Sequence, residues 1–170
     1  SKYLIKNIMK KIVIVAIATL FFTACKKEKA PAPPLTKTEL LSGTNFKKWK
    51  VTGYQRSANS PVTSATADLL GGLPATYRDN IMVFYLNGAE KLNEGATGTN
   101  PGQDYITGSW SFNTDETRIT CTMLFGLLGT SDQSVNSAVT ELTGQKMVID
   151  HVLTISTNTY YVRWTLVPVN

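Results

Sequence analysis

His151 is the only histidine of the chain, and Cys25 and Cys121 are its only cysteines, so these three residues are where nucleophilic or metal chemistry would begin. A zinc site at His151 would have to recruit Cys121 or carboxylates from distant positions. Neither the HExxH helix nor the paired-cysteine spacing that pre-organises such a site is present. A G-x-S-x-G elbow is also absent, and no third group is identifiable that would orient His151 toward Cys121. Glu90 with Glu94, and Asp115 with Glu116, are carboxylate pairs of the kind that divide acid and base roles when burial splits their pKa values. They fall beside Asn87-Gly88 and in a predicted turn, where solvated charges are expected. Glu94, Asn100 and Asp104 offer oxygen ligands for calcium, but their spacing fits no defined calcium loop. The expectation is a non-enzyme with no catalytic residue, metal or cofactor. What remains is aromatic: Trp49, Phe84, Tyr85, Trp110, Phe112, Tyr160, Tyr161 and Trp164 all fall on predicted strands, where rings either line a pocket or fill a core.

Cys25 has a different context. Met9-Lys10-Lys11 is a short basic segment, Ile12 to Phe22 is apolar apart from one threonine, and Thr23-Ala24-Cys25 closes the run with small residues. The run is shorter than the roughly 20 residues a membrane-spanning helix needs. Phe22-Thr23-Ala24-Cys25 resembles the lipobox of bacterial lipoproteins, with Phe in place of the usual Leu, and the resemblance implies that Cys25 is lipidated and becomes the mature N-terminus. Residues 1–24 then form the leader, with read-through before Met9, and residues 25–37 form a charged, proline-containing tether. Lipidation also leaves Cys121 as the one thiol, read as a small buried hydrophobe, so no internal disulfide is expected.

The leader carries Lys2, Lys6, Lys10 and Lys11 and no acid, so the net charge of +5 falls to near +1 in the remainder, with 13 basic against 12 acidic residues. That balance supplies no basic footprint, and nucleic-acid binding is disfavoured.

The elements that must position the rings are strands. In Asp104 to Met123, the residues Ile106, Gly108, Trp110 and Phe112 alternate with Thr107, Ser109 and Ser111; turn chemistry follows at Asn113 to Glu116, and Ile119, Cys121 and Met123 resume the period. The same grammar gives a first strand at Lys47–Tyr54, a doubly covered strand at Asp79–Leu86, an Asn87-Gly88 hairpin returning through Ala89–Asn93, a hairpin of Ser134–Leu142 with Lys146–Thr154, and a last strand at Thr159–Val167. Arg56–Pro74 is predicted as a long connection with at most one short helix, and Phe125–Gln133 as a segment able to cap a barrel end. About eight strands in adjacent hairpins predict an all-β fold, an antiparallel up-and-down barrel over residues 38–170.

Taken together, the Lys-Trp-Lys first strand, DNIMVFYLNG, NEGATGTNPGQ, GSWSFNTDETRIT, VTELTGQKMVI and the terminal TYYVRWTL resemble the lipocalin-like domain family of Gram-negative bacterial lipoproteins over Leu40–Val169. The resemblance implies a small lipocalin-like barrel. It also suggests Arg163 as a cation laid across Trp49. Departures are the five residues between Gly43 and Trp49, where lipocalins have one, and the absence of the cysteine pair that members often carry.

The leading expectation is a lipid-anchored lipoprotein of the cell envelope, at the outer membrane by resemblance. It would bind a small apolar or amphipathic ligand through Trp49, Tyr85, Trp110, Phe112, Tyr160, Tyr161 and Trp164. The alternative is a structural lipoprotein with a filled barrel that docks an envelope protein.

Overall fold

The computed structural model describes residues 32–58, 60–98, 100–122, 135–155 and 157–169, and the predicted cap at Phe125–Gln133 lies outside them. The chain divides into Ser1–Pro34 and a compact unit, Leu35–Asn170. In the second unit β1 (Phe46–Ala58), β2 (Ile81–Tyr85), β3 (Ala89–Asn93), β4 (Asp104–Phe112), β5 (Arg118–Cys121), β6 (Val135–Leu142), β7 (Met147–Ile155) and β8 (Asn158–Val169) pair in chain order, and β8 returns to β1. The result is a closed antiparallel up-and-down barrel, the expected fold.

Closure depends on β1, which is longer than expected. Phe46 to Lys50 pair with β2, whereas Lys48 to Ala58 pair with β8. A register shift between Val51 and Gly53 re-phases the strand, so that Trp49, Val51 and Tyr54 are all buried. Beyond the end of the β2 ladder, the β1–β2 connection supplies the missing edge: the Leu69 N–H donates to Tyr54 O at 2.6 Å, and Asp68 Oδ1 accepts from Tyr54 N at 3.0 Å. This connection holds a 3-10 turn at Leu70–Gly72 and α2 (Ala75–Arg78), and its Leu70, Leu73 and Tyr77 pack on the core from the mouth end.

The opposite end is plugged by α1 (Lys37–Ser42). Its start is a capping box, with Thr36 Oγ1 accepting from Glu39 N at 3.1 Å and Glu39 Oε2 accepting from Thr36 N at 2.8 Å. Its Leu41 is fully buried, and Gly43 ends it at φ +64°, a region that favours glycine. At the same end the β2–β3 turn uses Gly88 at φ +84°. The core runs from Leu41 through Trp49, Phe84, Trp110, Ile119, Ile149 and Trp164 to Leu153, one contiguous cluster inside the barrel.

Candidate functional site

The seven predicted ligand-contacting rings do not form one set. Trp49, Trp110 and Trp164 are buried in the interior, Tyr160 is half-buried and faces inward at the mouth, and Phe112 is half-buried and packs on the core. Tyr85 and Tyr161 lie on the outer wall. Strand alternation explains their position, because Phe84 takes the inward place beside Tyr85, and Val162 the one beside Tyr161.

Each inner ring has a defined partner. Trp49 Nε1 donates to Leu41 O at 2.8 Å, and the Lys47 ammonium sits 4.5 Å from the Trp49 ring while donating to Leu40 O and Gly144 O. Partial burial lowers the Lys47 pKa. Trp164 stacks on Tyr54 with centroids 4.4 Å apart. Trp110 meets Phe84 and Phe112 edge to face, and its Nε1 donates to Tyr85 O at 2.9 Å. At the mouth the Arg56 guanidinium lies 5.0 Å from the Tyr160 ring. Burial raises the Tyr54 pKa, against the pull of Arg56.

Arg163 does not lie across Trp49. It shares the outward parity of Tyr161 and Thr165, and there it grips Asp150 with both nitrogens, Nε at 2.7 Å from Oδ1 and Nη2 at 2.6 Å from Oδ2. Lys47 is the cation on Trp49 instead.

The interior also contains polar side chains, Glu90, Ser137 and His151, beside the buried Cys121. Glu90 is not the solvated turn charge expected. The turn is only Asn87-Gly88 wide, so Glu90 already stands in the ladder between Phe84 and Gly108, on the same inward parity as Leu92. It is 1% exposed, and its Oε1 accepts from Thr122 N at 2.5 Å. That parity with Leu92 was the available signal. His151 alternates inward with Ile149 and Leu153, and burial pushes its pKa down to about 4, partly opposed by the Asp150 charge. Among the described residues, Ser137 Oγ and Trp164 Nε1 are buried without a hydrogen-bond partner.

The loop carboxylates have local roles. Glu94 accepts the Asn100 N–H, while Asp104 pairs with Lys91 at 2.8 Å and accepts from Asn93 at 3.1 Å. The Lys91 hydrogen bond is the largest of the influences that hold the Asp104 pKa below the usual carboxylate range. Asp115 is bonded to Thr117, which lowers its pKa as well. Among the described residues no group of three or more His, Cys, Asp or Glu side chains is arranged to hold a metal, and no helix is long and apolar enough to cross a membrane.

Concavities open on the outer wall, among them one of about 360 Å³ between Gln55, Glu141, Val148, Arg163 and Thr165. A groove of about 330 Å³ is bounded by Pro61, Val62, Arg118, Asn136, Val152 and Tyr161, among others. Another of about 280 Å³ lies at the plugged end, between Asn45, Tyr85, Leu86 and Asn87.

These features define the class as a closed eight-stranded antiparallel barrel, plugged at one end, with polar side chains buried in an aromatic interior. No protein-family model matches the chain, and no curated protein matches its sequence.

Proposed function

We propose that this chain is a lipid-anchored, lipocalin-like lipoprotein of the cell envelope, whose barrel takes a small amphipathic ligand from the mouth end. The observation carrying the ligand reading is that Trp164 Nε1 and Ser137 Oγ are buried within the barrel wall with no hydrogen-bond partner among the described residues. A buried polar group left unsatisfied costs about 1–3 kcal/mol, so a guest or ordered water that bonds to it recovers free energy. The indole nitrogen only donates, so the ligand must bring an acceptor oxygen on an otherwise apolar body. The anchor rests on the leader ending at Cys25, and the outer membrane on the family resemblance alone.

The test is native mass spectrometry of the purified protein, followed by titration with fluorescent fatty-acid and retinoid analogues. A co-purified or titratable apolar ligand is expected. Trp164→Phe keeps the stack on Tyr54 and removes the donor, and should weaken binding by up to about tenfold, the equivalent of one hydrogen bond. An interior that takes up no apolar probe overturns the reading.

The second reading is a filled barrel working through its outer wall. It is favoured by Val152, a large apolar side chain 56% exposed in the groove beside Tyr161.

A further inference from the structure

Of the five exposed large hydrophobic side chains among the described residues, three lie at the plugged end: Leu35 at 61%, Phe46 at 47% and Leu86 at 45%. Phe46 and Leu86 belong to one patch. Leu86 N donates to Asn45 O at 2.8 Å, and the Phe46 ring lies 5.7 Å from Tyr85, its partner across the β1–β2 ladder. Isolated exposed hydrophobes are ordinary, but the paired Phe46 and Tyr85 rings, with Leu86 beside them in the concavity bounded by Asn45, Tyr85, Leu86 and Asn87, form a contiguous apolar surface.

The neighbouring charges are basic. Period-2 alternation along β1 places Lys48 and Lys50 on the same outer face as Phe46, and both are exposed. Lys91 lies 5.7 Å from the Tyr85 ring. Asp104, the carboxylate of this wall, is bonded to Lys91 and also feels Lys48. Asp115, Glu116 and Glu39 are at the plugged end too, but on the β4–β5 turn and α1, so the apolar and basic edge is that of β1 and β2. Rings beside lysines are the composition found where proteins meet a membrane interface.

The chain's own connectivity identifies the occupant. Leu35 is the first residue of the barrel unit and leads straight into α1, the plug. The nine residues between it and Cys25 make ten steps, which reach about 30 Å when extended as polyproline at ~3.1 Å per residue. An anchor at Cys25 therefore holds this end close to the bilayer.

We infer that the plugged end of the barrel docks on an anionic lipid surface through Phe46, Tyr85 and Leu86, with Lys48 and Lys50 against the headgroups. The inference rests on the anchor in the proposed function. It turns the mouth away from the bilayer.

The experiment uses the mature chain, residues 25–170, with Cys25→Ser, so that neither leader nor acyl chain contributes. Co-sedimentation is measured with vesicles of phosphatidylcholine, with and without phosphatidylglycerol. Binding to the anionic vesicles is expected, falling with added salt. It should be lost in Phe46→Asp with Leu86→Asp and weakened several-fold in Lys48→Gln with Lys50→Gln, each with an unchanged melting curve. No binding to either vesicle, binding unaffected by these substitutions, or a patch-dependent dimer on gel filtration in place of vesicle binding each overturns the inference. Intact-mass analysis of the native protein tests acylation of Cys25 separately, so failure of the anchor and failure of the docking surface are distinguishable.

Discussion

The Trp49 indole donates to the Leu41 carbonyl at 2.8 Å, and with the Lys47 bond to Leu40 O it ties the plug helix to the first strand of the barrel. Leu41 is at the C-terminal turn of α1, where carbonyls lack helical partners, so the indole satisfies a group that would otherwise be buried and unbonded. Trp49→Phe should cost about 1–3 kcal/mol, chiefly through the orphaned carbonyl, and Trp49→Ala about 3–5 kcal/mol through the added cavity. Urea midpoints at constant m-value check both. Equal losses in the two variants would show that the hydrogen bond contributes nothing beyond volume.

Trp110 seals the same end from β4. It is 6% exposed, sits edge to face between Phe84 and Phe112, and bonds to Tyr85 O. Trp110→Ala is expected to destabilise by about 3–5 kcal/mol. Ser109 and Ser111, exposed on the other face, should tolerate Ala within about 0.5 kcal/mol. A Trp110→Ala protein with an unchanged melting temperature would contradict the assignment of the faces.

Much of the barrel was legible because period-2 alternation is local. Ala89–Asn93 is predicted with the bounds it has, and the last strand, predicted at Thr159–Val167, falls within Asn158–Val169. The excess length of β1 was not legible. Its upper half is held by β8 and by Asp68, partners far along the chain, and the shift at Val51/Gly53 breaks the alternation there. The site was harder still. Selecting rings by type alone mixed Tyr85 and Tyr161, which face outward, with Trp49 and Trp164. Proximity to a turn made Glu90 look solvated although its parity with Leu92 points inward. Whether a polar atom inside the wall has a partner depends on neighbours from other strands, so nothing in the linear pattern marked Ser137 or Trp164 Nε1.

Gly108 is small because Glu90 and Thr122 occupy the space beside it. A Cβ there would meet Thr122 Cβ at 2.7 Å, Thr122 Oγ1 at 2.8 Å and Glu90 Oε1 at 2.9 Å. Gly108→Ala is therefore expected to destabilise by about 1–3 kcal/mol through overpacking. Gly144, with nothing within 4 Å of its virtual Cβ, is the control and should change little on substitution by Ala. Thermal melts of the two variants give the comparison, and equal melting temperatures would mean the β3–β4–β5 wall relaxes freely.

His151 sets the last prediction, a loss of stability in mild acid. Inside the barrel its pKa is pushed from 6.5 down to about 4 by burial, with Asp150 pulling the other way. The unfolded chain therefore binds a proton at this residue over a range in which the folded chain does not. Stability must rise with pH there. The contribution of the neutral imidazole is fully present above about pH 6.5, declines as the pH falls toward 4, and is gone below it; a shift of this size corresponds to roughly 3 kcal/mol. Asp104 and Asp115 act in the same direction but lower, since their pKa values are held below the usual carboxylate range and their contributions fade only as the pH falls through that region. The two effects separate in a series of urea midpoints at stepped pH. The wild-type protein should lose stability between pH 6.5 and 4, whereas His151→Gln should be nearly flat over that interval and fall with the carboxylates below it. A wild-type curve already flat between pH 6.5 and 4 would show that His151 accepts its proton in the folded barrel as easily as in the unfolded chain.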